Sequence, residues 1–163
     1  MIKKLIATLM INTIFIGSMS YAGMAAIETH KQNEQLNCLA LNIYFETRAS
    51  SLADAMSVSD VVINRVYSTK FPNNVCDVVY EGIEKGRHKC QFSWYCDGKS
   101  DVPKNKTAWE KSRKYARDIY VHGRYIGITE GATHYHANYV KPYWAPTLDR
   151  VTRIGSHIFY RLK

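Results

Sequence analysis

The chain of 163 residues has no Cys-x-x-Cys pair, no Gly-x-Ser-x-Gly elbow and no glycine-rich phosphate loop. The first absence argues against a zinc finger or ribbon: the only four cysteines, Cys38, Cys76, Cys90 and Cys96, are spaced by 38, 14 and 6. The other two remove the serine-hydrolase elbow and the nucleotide cradle. No apolar run is long enough for a span of about 20 residues, because Thr8, Asn12 and Thr13 interrupt the stretch from Leu5 to Gly17. Internal repeats, low-complexity tracts and a linker to a second domain are also missing. Acidic residues are scarce, 14 against 22 Lys and Arg, for a formal charge of +8. Those basic residues are scattered rather than gathered in a stripe, which argues against a nucleic-acid track. A basic chain with 12 Tyr suits an anionic or carbohydrate polymer of the cell envelope.

Residues 1–22 have the composition of a signal peptide: Lys3 and Lys4, the apolar stretch, then Ser20-Tyr21-Ala22 as a cleavage site. Cleavage would remove 22 of 163 residues, leave 141, and lower the formal charge from +8 to +6. The expectation is a periplasmic or secreted protein without a stable membrane span, monomeric, with a short segment over 23–35 and one domain over 36–163. In an exported chain the even number of cysteines reads as two disulfides. Among the three pairings the preference is Cys76 with Cys90 and Cys38 with Cys96.

The first strong helical pattern runs over 35–48, where Leu39, Asn42, Ile43 and Glu46 fall at i, i+3, i+4 and i+7. Glu46 therefore points where Leu39 and Ile43 point, into the domain. A carboxyl placed there, beside Tyr44 and Phe45, loses solvation, which raises its pKa as a general acid near neutral pH requires. The bland alternative is a surface Glu paired with Arg48. Ser51 and Asp54 then form a capping box for a helix carrying Leu52, Met56, Ser59, Val62, Ile63 and Val66 on one stripe. Val75, Val78 and Val79 mark a third, short helix beyond Pro72, and Thr107 with Glu110 caps a fourth that runs to about His122. Thr133–His136, Val151–Ile154 and His157–Tyr160 read as strands, the last two joined through Gly155-Ser156. The fold class is α+β: mainly helical, with a small sheet towards the C-terminus.

Two further stretches carry chemistry. Gln91-Phe92-Ser93-Trp94-Tyr95, inside the long loop over 82–104, offers rings for the apolar face of a sugar and polar groups for its rim; the alternative is that Phe92 and Trp94 pin a bridged loop to the core. In a strand, His134 and His136 share one face and Tyr135 takes the other, while Tyr139, Tyr143 and Trp144 extend a ring-rich surface. The histidines suit either substrate hydrogen bonding or, with Glu46 or another carboxylate completing the set, a zinc amidase or peptidase site, although His-x-His is a weak metal pattern. His30, His88, His122 and His157 are assigned ordinary surface or packing roles.

In order along the chain, Leu39–Glu46, Val61–Val66, Phe71–Tyr80, Cys90–Trp94 and Ala132–His136 resemble the blocks of the SleB/CwlJ-type cell-wall hydrolases, over roughly residues 36–161. That resemblance implies a lysozyme-like domain that cleaves peptidoglycan glycan strands, often as a lytic transglycosylase, without a cofactor, and it maps the catalytic acid onto Glu46. Gln91, Phe92, Ser93, Trp94, His134, Tyr135, His136, Tyr139 and Trp144 are the candidate substrate contacts. Members commonly continue Glu-Ala-Arg-Gly-Glu, whereas this chain has Glu46-Thr47-Arg48-Ala49-Ser50 and lacks the second acid. One carboxylate suffices for a transglycosylase, while a hydrolysing muramidase needs two. Asp54, Asp60, Asp77 and Asp97 are the reserve, with Asp97 in the aromatic loop first. A non-catalytic peptidoglycan-binding module is the third reading, disfavoured by an acid kept in an apolar setting.

Overall fold

The structure, a computed structural model, describes residues 2–47 and 51–163, with side chains from Gly23 onward. The leader expected over 1–22 thus falls outside the described side chains, and Arg48, Ala49 and Ser50 lie outside the described residues altogether. Four α-helices and three strands follow in order: α1 Ile2–Thr47, α2 Leu52–Tyr67, α3 Val75–Val79, α4 Lys106–Tyr120, β1 His134–Ala137, β2 Asp149–Ile154 and β3 His157–Arg161. The chain divides into one unit that ends at Glu34 and a second over Gln35–Lys163. In the first unit residues 23–34 are all exposed. Among the described residues no helix is long and apolar enough to cross a membrane.

The second unit is built round α2. The expected single stripe undercounts its burial: everything from Asp54 to Ile63 is buried, and so is Arg65, because the helix packs on α3, α4 and β2 at once. Leu52 is the exception to the expected stripe; it sits in the first turn, ahead of those contacts, and is 40% exposed. A helix enclosed on most sides must pair its polar groups. Ser57 and Ser59 bond back to the carbonyls of Asp54 and Ala55. Asp60 accepts from the backbone N–H groups of Gly127 and Thr129 and from the Thr129 hydroxyl, at 2.8, 3.0 and 2.6 Å. Asn64 donates to Thr129 Oγ1 and to the Ala132 carbonyl. One polar row on α2 thereby clamps residues 127–132 and fixes where β1 starts.

Ser51 caps α2 as expected, its hydroxyl accepting from Asp54 N–H and donating to Asp54 Oδ2. The other Asp54 oxygen accepts from Ser156 N–H, Ser156 Oγ and His157 Nδ1, tying the β2–β3 turn to the helix start. Burial opposes ionisation of Asp54, but the bonds from Ser51, Ser156 and His157 win and hold its pKa down at about 2. A Cβ on Gly155, which has φ +54°, would strike the Asp54 carboxylate, so the turn needs glycine twice over.

β1, β3 and β2 form an antiparallel sheet in that order, with a register shift between Arg150 and Thr152. The predicted hairpin and the third helix are present. The fourth helix is capped two residues earlier than expected: Asn105, not Thr107, caps it, because the Asn105 side chain accepts from Ala108 N–H. The disulfide pairing differs from the preferred one. Cys38 on α1 joins Cys76 on α3 with Cα atoms 5.2 Å apart, and Cys90 joins Cys96 at 6.0 Å across the turn Ser93–Cys96. The reason is helix packing: Gln35 accepts the Cys76 N–H, which lays α3 against α1 and leaves the two loop cysteines to each other.

Candidate active site

Glu46 lies in the last turn of α1, on the face that buries Leu39, Asn42 and Ile43. Its carboxyl is half-buried and accepts a 2.9 Å hydrogen bond from the Tyr135 hydroxyl. Burial raises its pKa above the ordinary carboxyl value; the Tyr135 bond and the charges of His157 and Arg65 oppose this without cancelling it. The result is an acid that holds its proton to higher pH than an ordinary carboxyl does. Tyr135 remains a proton donor, since burial and the Glu46 charge push its own pKa well up.

Strand alternation brings Tyr135 there. Tyr135 pairs with Phe159 across β1–β3, so both face the core, and the Tyr135 ring meets His157 edge-on at 5.2 Å. His157, expected to be an ordinary packing residue, braces that ring from behind while bonding Asp54. The expected histidine pair takes the opposite face. His134 Nδ1 bonds Thr133 Oγ1; His136 bonds the Ala137 carbonyl and the Tyr160 hydroxyl, and both rings contact Trp144 at 5.7 Å. A metal site completed by Glu46 is thus contradicted: the alternation that aims Tyr135 at Glu46 aims the histidines elsewhere. Among the described residues no third His, Cys, Asp or Glu joins them. His134, desolvated and near Arg65, titrates below the ordinary histidine value.

Arg65 is the participant that sequence reasoning missed. Its guanidinium is 2% exposed, 5.3 Å from the ring centres of both Phe71 and Phe92, and its Nε donates to the Thr133 carbonyl at 2.8 Å. With the Gln91 amide oxygen turned towards it, as donor–acceptor matching requires, Gln91 accepts from Nη1 and Nη2 at 3.2 and 2.9 Å. Desolvation lowers its pKa to about 10 against the support of Tyr135, Glu81 and Glu46, so it stays charged at neutral pH. Glu81 supplies a second carboxyl near this charge, and its Oε2 has no hydrogen-bond partner among the described residues.

The loop residues divide. Phe92 and Trp94 are largely covered, at 3% and 7% accessible, and what Trp94 leaves uncovered lines a cavity beside the end of α1. Phe92 lies against Arg65, and Trp94 stacks on Phe45 at 4.7 Å and donates to Asn42 Oδ1. The Cys90–Cys96 bridge thus pins its rings inward, and Gln91 and Ser93 are the exposed pair. Tyr139 is 85% exposed and Trp144 half-buried. Of the reserve carboxylates, Asp54 and Asp60 are consumed by the bonds above, Asp77 by the Asn74 amide N–H, and Asp97 by the backbone N–H and ammonium of Lys99.

Residues 49–160 match the family model described as Cell Wall Hydrolase. The chain belongs to the cell wall hydrolase family. The matched stretch holds Arg65, Tyr135 and His157, and Glu46 stands three residues ahead of it. Spore cortex-lytic enzymes of Bacillus subtilis strain 168 and of Bacillus cereus strain ATCC 14579 are 26% identical over 127 residues and 28% over 131. These matches take in 78% and 80% of this chain but 37% and 45% of the relatives, so the chain spans less than half their length. Two solved structures are similar: the catalytic domain of the Bacillus cereus SleB protein (TM-score 0.58, 25% identity, 79% of this chain and 91% of that one), and the catalytic domain of the germination-specific lytic transglycosylase SleB from Bacillus anthracis (TM-score 0.59, 26% identity, 78% and 93%). The mainly helical α+β expectation agrees with that catalytic-domain fold.

Removal of the Tyr135 hydroxyl tests the geometry around the acid. Its bond favours ionised Glu46, so Tyr135→Phe raises the Glu46 pKa further. Activity that needs protonated Glu46 falls on the alkaline side; that limb of the kcat/KM–pH profile is expected to move up by about one unit. An alkaline limb unmoved in Tyr135→Phe would show that it reports some other group.

Proposed function

We propose that this chain cleaves the glycan strand of peptidoglycan between N-acetylmuramic acid and N-acetylglucosamine as a lytic transglycosylase, with Glu46 as its single acid and base. The observation that carries the reading is a half-buried carboxyl with a raised pKa, held by the Tyr135 hydroxyl at the end of α1. Protonated Glu46 donates to the bridging oxygen as the C1–O bond breaks. The resulting carboxylate accepts the proton of the muramoyl 6-hydroxyl, whose oxygen closes on C1 to give a 1,6-anhydro sugar. The Glu46 proton is restored in the same turnover and no water is consumed. Arg65 and Tyr135 stabilise the carboxylate between the two transfers. Family membership and the transglycosylase named among the similar structures support the reading. The site of action would be the cell envelope, reached through a cleaved leader over 1–22.

Hydrolysis to a reducing end is the second reading, and Glu81 favours it over the earlier candidate Asp97, because the Glu81 Oε2 has no partner among the described residues whereas Asp97 is engaged by Lys99. Mass spectrometry of muropeptides released from purified sacculi separates the two. Ends in 1,6-anhydro-N-acetylmuramic acid are expected; reducing ends that disappear in Glu81→Gln would replace the transglycosylase with a muramidase, and free peptides would exclude both.

A further inference from the structure

A cavity of about 480 Å³ opens beside the last turn of α1, within the size range of small-ligand sites. Its floor is aromatic: Phe45 and Trp94, stacked at 4.7 Å with ring planes 18° apart, and Tyr44. The Tyr44 hydroxyl accepts from the backbone N–H groups of Lys104 and Asn105, both at 3.1 Å, so the floor also fastens the wall that faces it. Residues 97–105 supply the rim, and its charges are unevenly used. Asp97 and Lys99 pair with each other at 3.3 Å. Asp101 and Lys104 also line the cavity, and among the described residues neither side chain is hydrogen-bonded or ion-paired.

An unpaired carboxylate and an unpaired ammonium above one aromatic floor complement a ligand that carries both charges. Under the reading of the preceding section the substrate has such a group. The muramic acid at the scissile bond bears a peptide stem on its lactyl ether, and some stems contain a diamino dicarboxylic acid with a free ammonium and a free carboxylate. The stem leaves the sugar next to the reacting bond. Phe45 and Glu46 are consecutive, with Cα atoms about 3.8 Å apart, so the cavity wall begins one residue from the acid.

We propose that this cavity seats the peptide stem of the substrate, with Asp101 facing the free ammonium and Lys104 the free carboxylate of a diamino dicarboxylic residue. The inference rests on the glycan-cleavage reading and names the part of the substrate that reading leaves open. It also accounts for the state of Asp101. Burial and the Asp97 carboxylate both raise its pKa, a cost that an ammonium bound between them would offset.

The test compares sacculi bearing such stems with the same glycan strands stripped of peptide by an amidase. Initial rates are measured for the full chain, Asp101→Asn and Lys104→Met, with circular dichroism to verify folding. On intact sacculi each substitution is expected to raise the apparent KM by about tenfold with kcat little changed, the scale of one lost charge-assisted bond. On stripped strands that penalty should vanish. Sacculi with lysine in place of the diamino dicarboxylic acid should keep the Asp101 penalty and lose the Lys104 one. A penalty of the same size on intact and stripped strands, or none on either, overturns the stem assignment while glycan cleavage stands. Free peptides without new glycan ends would overturn both.

Discussion

Glu46→Gln is expected to lower the rate of glycan cleavage by about a thousandfold, the loss typical of removing a positioned general acid. The amide keeps the shape of the side chain and an oxygen for the Tyr135 hydroxyl, so the site stays assembled while the transferable proton is gone. Stability should move the other way. A carboxyl whose folded pKa is raised above its unfolded value contributes its full stability only below the unfolded value, near 4.5. That contribution is lost as pH rises through the folded pKa, because the buried group must then ionise. At pH 8 the Gln variant should therefore unfold at the same temperature as the parent or a higher one, and the difference should disappear below pH 4.5. Initial rates on sacculi and thermal melts at the two pH values check both halves. Full activity in the variant would remove Glu46 from the chemistry; a melt lowered at every pH would make it a structural carboxylate.

The legibility of this site in the sequence follows from what each signal encodes. Helical periodicity carries direction, so Leu39, Asn42 and Ile43 were enough to aim Glu46 at the interior. Strand alternation carries direction as well, so Tyr135 fell opposite His134 and His136, although the sequence could not say which face met the acid. Aromatic composition carries no direction. On sequence alone Phe92 and Trp94 favour a sugar platform over packing, and only the Cys90–Cys96 bridge and the Asn42 contact decide for packing. The partners of the four cysteines are hidden for a related reason. Their pairing follows from how α1 and α3 pack through Gln35 and the Cys76 N–H, a contact between residues 41 positions apart. Arg65 was invisible because its importance lies in burial. In Ile63-Asn64-Arg65-Val66 it looks like a solvated helix residue, and nothing local reveals that α2 is enclosed on its sides.

That enclosure makes Arg65→Met the substitution with the largest expected effect on stability. It removes the partner of the Thr133 carbonyl and the Gln91 amide, and it strips Glu46, Tyr135 and Glu81 of the positive charge they share. Breaking a buried charge network from one side costs about 3–5 kcal/mol, because the groups left behind remain desolvated. Urea unfolding of the variant should show a loss of that size. The effect on catalysis has a sign of its own. The Arg65 charge lowers the Glu46 pKa, as do the Tyr135 bond and the His157 charge, so without Arg65 the acid holds its proton to higher pH. The alkaline limb of kcat/KM should move up while the rate at its plateau falls, since the carboxylate left after proton donation loses its counter-charge. Arg65→Lys separates the two roles: it keeps the charge near Glu46 but cannot span the Thr133 carbonyl and Gln91 together. Its limb should stay near the parent's while its stability falls. A cycle with Glu81→Gln then isolates the pair, because neutralising Glu81 should recover part of the stability lost in Arg65→Met. If the double variant is no more stable than the additive sum of the singles, Glu81 does not lean on Arg65, and its free oxygen is better assigned to water than to the guanidinium.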